Sequence, residues 1–540
     1  MSIWAPPKRP RHEPWMIAPS LDELIGPTHA VRVLDDLLDE VPWAEWEALY
    51  KPAGPGQPAI HPRLLAGAIL YGLLKGIQST RALEEATRMR IDFHWLLEGR
   101  SIDHTTFCKF LDRAGPERVQ HLFQDLNRSL AKRQKATLAD IFMDGTRLRA
   151  NSNRHGARTA TTLAKQVSDL DEQLAKGVEA LGAEAAIEAS AERLKAEREK
   201  LARALEVAQE RDHLKKSKEG KEAACVRVPV TDPDAHVLPN KEGGYAPNYT
   251  PVVAVDAQTN FIGAACVAEG DSEALTVDAL IEQVEALRGA PPERIGADSH
   301  FACGSNLEEA STHGIGFYAP VKAPLEGNPA LRQNLCEPVL ASDYETLPMY
   351  GKKLSKDAFV YDQTKDCYYC PMGRVLPLFY TFEYKDRRGN PLVGRKYRSK
   401  DCSNCPLAAV CLRSKTNLRQ VRRDPYEEYR EKVAERMQTE EGKAFYRQRA
   451  PQVEGVFGTI KAAMGIRRFL RRGHQKVSTD WLLICAAFNV KSLIRRKYGH
   501  NRPLLVLVRD LWRSLQCSWR WPELLQYENG RWRMGTMTAQ

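Results

Sequence analysis

The sequence has no run of about 18 consecutive apolar residues, the minimum for an ordinary membrane-spanning helix, so no membrane span is expected. Its opening stretch, MSIWAPPKRPRHEPW, is rich in proline and basic residues but has no apolar core, and no secretory signal is expected either. These two absences point to the cytoplasm. A disulfide framework is missing too. Seven of the 12 cysteines (Cys108, Cys225, Cys266, Cys303, Cys336, Cys485 and Cys517) stand singly, as expected for reduced, mostly buried thiols.

What is present begins with length and charge. A chain of 540 residues is long enough for two or three domains, each with its own core. Lys and Arg number 79 against 69 Asp and Glu, a formal charge of +10, which suits a polyanionic partner.

Residues 1–135 read as a helical domain, with apolar repeats at Leu64, Leu65, Ala68, Leu70, Leu73 and Leu74, and later at Phe107, Phe110 and Leu111. SIDHTTFCKFLDRAG has the polar start of a helix in a small bundle or a helix-turn-helix variant, so the domain either binds DNA or serves packing and dimerisation. From Leu138 the pattern changes to short β runs: LADIFMD, then residues 249–256, then residues 261–269 after an AQTN hairpin turn. A helix is expected over 272–287, then a strand ending at Asp298, then another over 314–321. This is the element order of an α/β ribonuclease-H-like core, a mixed sheet flanked by helices, assembled from residues 136–160, 225–330 and 441–500.

Two insertions interrupt that core. Residues 161–224 carry Leu163, Val167, Leu170, Leu174, Val178 and Leu181 at helical spacing, then Ile187, Leu194, Leu201 and Leu205, with Gly182 between. The expectation is an antiparallel helical hairpin, with an intermolecular coiled coil as the alternative. Residues 331–440 carry Cys367-x2-Cys370 and Cys402-x2-Cys405, with Cys411 six residues later. Two such knuckles suit structural Zn²⁺ on Cys367, Cys370, Cys402 and Cys405, against the alternative of reduced or redox pairs. In the tail, 501–540, Trp512, Trp519, Trp521 and Trp532 are expected to pack a core rather than stack on bases.

Three acids carry the candidate chemistry. Asp144 and Asp298 each end an expected strand, and Glu454 lies seven residues before Lys461, where two helical turns return to the same face. Singly, Asp144 could start a turn, Asp298 could cap a helix and Glu454 could favour a helix N-terminus. Together they provide the oxygen donors that two Mg²⁺ ions need for phosphoryl transfer. Arg467, Arg468, Arg471 and Arg472 recur at helical spacing just beyond and would neutralise phosphates, unless they form a solvated face.

The stretches MDGTRLRANSN, TDPDAHVLPNKEGGYAPNYTPVVAVD, GADSHF, CSNCPLAAVC and VEGVFGTIKAAMGIRRFLRRG together resemble the DDE transposases of bacterial insertion sequences, in the branch with a helical amino-terminal domain and a cysteine-bearing insertion. The resemblance spans nearly the whole chain. It implies a metal-binding triad of Asp144, Asp298 and Glu454, with Mg²⁺ or Mn²⁺ as two ions. It also implies cleavage at element ends, joining to target DNA, a homodimer or higher oligomer, and a nucleoid-associated protein of a bacterium. Family members carry a tyrosine, arginine, glutamate and lysine at fixed gaps, onto which Tyr446, Glu454 and Lys461 match directly. Arg449 falls one residue too far from Glu454, and Pro451 is expected to start a new helix between them, which makes Arg447 a rival. The same triad would serve a nuclease that does not join, and a non-catalytic DNA-binding regulator is the reading from another class.

Overall fold

The computed structural model describes residues 20–50, 59–179, 185–219, 226–239, 243–270, 272–321, 327–386, 389–402, 404–412, 418–498, 525–528 and 531–534. Cys225, Cys517, Trp512, Trp519 and Trp521 lie outside them. By compactness the chain divides into residues 1–490 and 491–540, and the second unit holds a β-hairpin of Leu525–Glu528 with Arg531–Met534.

The amino-terminal region is helical. Helices α1 (Ala30–Leu38), α2 (Pro62–Leu74), α3 (Thr80–Met89) and α4 (His104–Gln134) build it, with α2 buried at every position but Arg63. A helix apolar on all sides must sit at the centre, and α2 does. Asp103 starts α4 by accepting the Thr105 amide at 2.7 Å. Pro116 follows a bend at Gly115, whose φ of 67° breaks the helical path.

Strand β1 (Asp140–Gly145) opens the central sheet. The first insertion then forms α5 (Ala160–Glu179) and α6 (Ala185–Glu219), which pack through Leu163, Leu201, Ala204 and Ala208, with an Arg198–Asp171 ion pair at 2.7 Å between them. The chain re-enters the sheet as β2 (Pro251–Asp256) and β3 (Ile262–Val267), followed by α7 (Val277–Arg288), β4 (Arg294–Gly296), α8 (Gly304–Thr312) and β5 (Gly316–Tyr318). The sheet order is β5-β4-β1-β2-β3, with β1 parallel to β4, β4 parallel to β5, and the β1–β2 and β2–β3 pairs antiparallel.

Some boundaries differ from expectation. The run 249–256 splits, because Tyr245–Tyr249 pairs within a separate small sheet and Pro251, lacking an N–H, begins the buried strand β2. The hairpin turn is locked from inside by buried Asp256, whose carboxylate accepts the Leu138 amide and both the amide and hydroxyl of Thr259.

The second insertion is a five-stranded antiparallel sheet in chain order, β6 (Val360–Asp362), β7 (Cys367–Tyr369), β8 (Val375–Lys385), β9 (Pro391–Arg398) and β10 (Gln420–Arg423), with the one-turn helix α9 (Ala408–Cys411) beside it. Tyr368, Leu376, Tyr397 and Leu354 form its core. Helices α10 (Glu427–Gln438), α11 (Glu440–Arg447) and α12 (Arg449–Gly458) return the chain to β1, and a π turn (Thr459–Ala463) precedes α13 (His474–Tyr498). Helix α13 is long and apolar enough on average to cross a membrane, though polar residues interrupt it, and its apolar stretch is mostly buried within the protein. Trp481 donates its indole N–H to the Val252 carbonyl of β2 at 3.2 Å.

A buried amide lattice joins three of these elements. Asn489 of α13, fully buried, donates to the Asn127 side chain of α4 and to the Ile262 carbonyl of β3, and accepts the Ile262 amide, each at 2.9 Å. Removing that side chain leaves several desolvated groups unmatched at about 1–3 kcal/mol each. Asn489→Ala is therefore expected to lower the denaturation midpoint markedly, by the equivalent of about 3 kcal/mol, and an unchanged melting curve would contradict this account.

Candidate active site at the ends of two parallel strands

Strands β1 and β4 run parallel, and their final paired rung is Phe142 with Gly296. Asp144 and Asp298 each lie two residues beyond that rung, and both are near enough to Glu273 to raise its carboxyl. Burial of Ile141, Phe142 and Met143 fixes β1, and the chain emerges at half-buried Asp144. Asp298 accepts the His300 amide at 2.8 Å, which orients its carboxylate through the following turn.

A third carboxylate, Glu273, joins them from the start of the segment expected to be helical over 272–287. Glu273 opens a 3-10 turn, Glu273–Thr276, after β3. A Cβ on Gly145 would come within 2.5 Å of the Glu273 carboxylate, so glycine at 145 is what lets this acid lie against β1. Burial, and then the charges of Asp298 and Asp144, push the Glu273 carboxyl up to about 7, while Arg147 and His300 pull it down. In the sequence an acid at the start of a helix reads as a favourable first-turn charge, so only its tertiary neighbours reveal it.

Two helices close the site from the other side. Arg449 places Nη2 at 3.0 Å from Asp144 Oδ1, and its Nε faces the Met143 carbonyl at 3.4 Å. Arg449 thus meets the strand-end acid Asp144. The helix break falls at Gln448 rather than at Pro451, so Arg449 begins α12, and Pro451 sits in the first turn, where amide donors have no helical partner anyway. Arg447, its expected rival, is exposed at the end of α11. Tyr446 is half-buried; burial raises its phenol, with Asp298 and Asp144 adding to the effect and Arg449 opposing it.

Lys461 donates to Thr146 Oγ1 at 2.6 Å and to the Arg147 carbonyl at 3.2 Å, just past the end of β1. Helix α12 and its π turn are thus fastened along β1 at both ends. Glu454 lies exposed between the fastenings. The fold therefore gathers Asp144, Asp298, Glu273, Tyr446 and Arg449, and leaves Glu454 on the open side. Among the described residues, the group whose ligand atoms lie within 4.8 Å of one another is a different one, Glu84, Asp103 and His104. There a 2.7 Å His104–Glu84 ion pair and the capping role of Asp103 account for the arrangement.

The four arginines after Glu454 are not helical. Gly465 and Gly473, at φ of 72° and 90°, bracket an irregular segment, in which Arg468 forms an isolated bridge to Arg149. Arg467, Arg468 and Arg472 are exposed, whereas Arg471 is committed to Asp480 at 2.7 Å. The thiols also depart from expectation. Of the single cysteines described, Cys485 is buried, Cys266 and Cys303 are half-buried, and Cys108 and Cys336 are exposed. Cys367 and Cys370 do not form a knuckle: Cys367 lies within β7 with Cys370 just after it, and an offset of three along an extended chain turns the two side chains to opposite faces.

The carboxyl of Glu273 is raised from 4.5 to about 7, so its protonated form stabilises the fold. That contribution is complete below 4.5 and is lost as the pH rises through about 7. Without divalent ions, the melting temperature of the native protein should therefore fall more steeply across this range than that of Glu273→Gln. Parallel curves would remove Glu273 from the acidic cluster.

Comparison with known proteins adds two family matches. The Transposase DDE domain matches residues 369–494, which include Tyr446, Arg449, Glu454 and Lys461 but neither Asp144 nor Asp298. The Transposase domain (DUF772) matches residues 19–113, within the helical region. No curated protein matches the chain. A solved structure, the cryo-EM synaptic complex of piggyBac transposase with hairpin DNA, aligns over 91% of this chain and 80% of that one at 12% identity; its TM-score of 0.30 is too low to carry an argument. Both matches are to transposase families, one of them a DDE domain, and they fall on separate parts of this chain.

Proposed function

We propose that this transposase cuts DNA at the ends of its element and joins the freed 3′ hydroxyl to target DNA, in a ribonuclease-H-like core whose metal-binding acids are Asp144, Asp298 and Glu454. The observation that carries the proposal is the matched position of Asp144 and Asp298, each two residues past the last rung of two adjacent parallel strands. The donors fit a hard divalent cation. They are all carboxylate oxygens, and the Gly145 surface is cut back to admit one more. Two Mg²⁺ or Mn²⁺ ions held there would supply Lewis acidity to the attacking and leaving oxygens.

The chain's own residues do the rest. Arg449 pairs with Asp144 at 3.0 Å, and its charge offsets the acidic cluster before DNA arrives. Lys461, held at the end of β1, presents an ammonium to a phosphate beside the cut. Tyr446 lines the acidic side, and exposed Arg467, Arg468 and Arg472 continue the basic track along the strand. Arg471 is assigned to Asp480 and not to DNA. The helical amino-terminal domain contributes further DNA contacts, and two or more protomers bring the two element ends together.

Terminal sequences taken from the DNA flanking the gene supply the substrate for the test. Asp144→Asn and Asp298→Asn should each reduce Mg²⁺-dependent cleavage about 100-fold or more, equivalent to about 2.7 kcal/mol of barrier. Full cleavage by either variant would end the assignment. With precleaved ends the native protein should form joined products; cutting with no joining would reduce the protein to a nuclease. Lys461→Ala should weaken binding to any DNA sequence and lower the salt dependence of binding by about one phosphate contact, and an unchanged slope would remove Lys461 from the DNA track.

A further inference from the structure

The inserted β domain contains a second, independent cluster of chemistry. Cys370, Cys402, Cys405 and Cys411 line a single cavity of about 20 Å³, together with Leu354, Phe359, Leu376 and Leu407. We infer that these four thiols, and not Cys367, hold one structural Zn²⁺ ion. The inference does not depend on the catalytic reading above.

Local backbone explains the set. Cys370 stands at the head of a tight turn: its carbonyl accepts the Gly373 amide, and its own amide donates to the Arg374 carbonyl, each at 2.9 Å. Cys402 and Cys405 both line the cavity, and Asn404, just before Cys405, takes a left-handed conformation at φ 54°. Helix α9 then brings Cys411 round, and the Cys411 carbonyl is held by the buried Arg419 guanidinium at 2.7 Å. Cys367 is absent from the cavity wall. It lies on the other face of β7, where its electrostatic neighbours are Asp362, Lys365, Asp366 and Cys336.

The chemistry fits as well as the shape. The four cysteines are free thiols in a wall that is otherwise largely apolar, where thiolates are costly unless a cation neutralises them. A zinc ion with four thiolates carries a net double negative charge, and Arg374 and Arg419 both line the same cavity. Tetrahedral Zn–S bonds of about 2.3 Å put the sulfurs about 3.8 Å apart. No three of these four sulfurs lie within 4.8 Å of one another. Binding therefore requires their side chains to turn inward. The ion would clip the turn after β7 to the loop between β9 and β10, two segments joined otherwise by the long β8–β9 hairpin.

The full-length protein, purified without added metal, should contain one zinc per chain by elemental analysis. Cys367→Ser should retain it, whereas Cys411→Ser and Cys370→Ser should lose it or release it to a chelator about ten-fold faster or more. Where a variant fails to fold, the native chain supplies the test: stripped with chelator and refilled with Co²⁺, it should show the intense thiolate-to-cobalt charge-transfer absorption of a tetrahedral sulfur site. Zinc-free native protein, a cobalt form without that absorption, or loss of metal from Cys367→Ser with retention in Cys411→Ser would each overturn the inference.

Discussion

Two acids on neighbouring parallel strands repel, and much of the site follows from holding them there. The backbone ladder between β1 and β4 sets the spacing, and the buried run of Ile141, Phe142 and Met143 prevents β1 from slipping. A slip of one residue would turn Asp144 to the opposite face. Arg449 balances part of the charge from across the strand, and the amide of His300 holds Asp298.

Glu273 deepens the same constraint. Its carboxylate is buried against Gly145 and faces both strand-end acids, so the fold tolerates it only by shifting it toward the protonated form. A cation would reverse that preference, since an opposite charge favours the ionised acid. Glu454 is the complementary case. It is exposed on α12, between the Arg449 and Lys461 fastenings.

The cysteines show how local geometry overrides a motif. Both CxxC pairs have the same spacing, yet the first is extended along β7 and the second turns through Asn404. Spacing alone cannot distinguish them, because the strand pairing of Cys367 with Pro377 is what fixes the first as β structure. The arginines after Gly465 make the same point. Their intervals mimic a helix, but two glycines at positive φ and the bridge between Arg149 and Arg468 hold the segment irregular.

By itself, the sequence determined what depends on neighbours along the chain: the helical start, the strand that ends at Asp144, the AQTN hairpin, and the acidic, basic and cysteine-bearing segments. Periodicity and turn chemistry are local, and they are readable without a fold. Tertiary structure decided which of these segments meet. It set the strand order that puts β4 beside β1, the helix break at Gln448 that turns Arg449 onto Asp144, the approach of Glu273 to Gly145, and the replacement of Cys367 by Cys411 around one cavity. Each of these is a contact between residues far apart in the chain, fixed by packing and register rather than by any local preference.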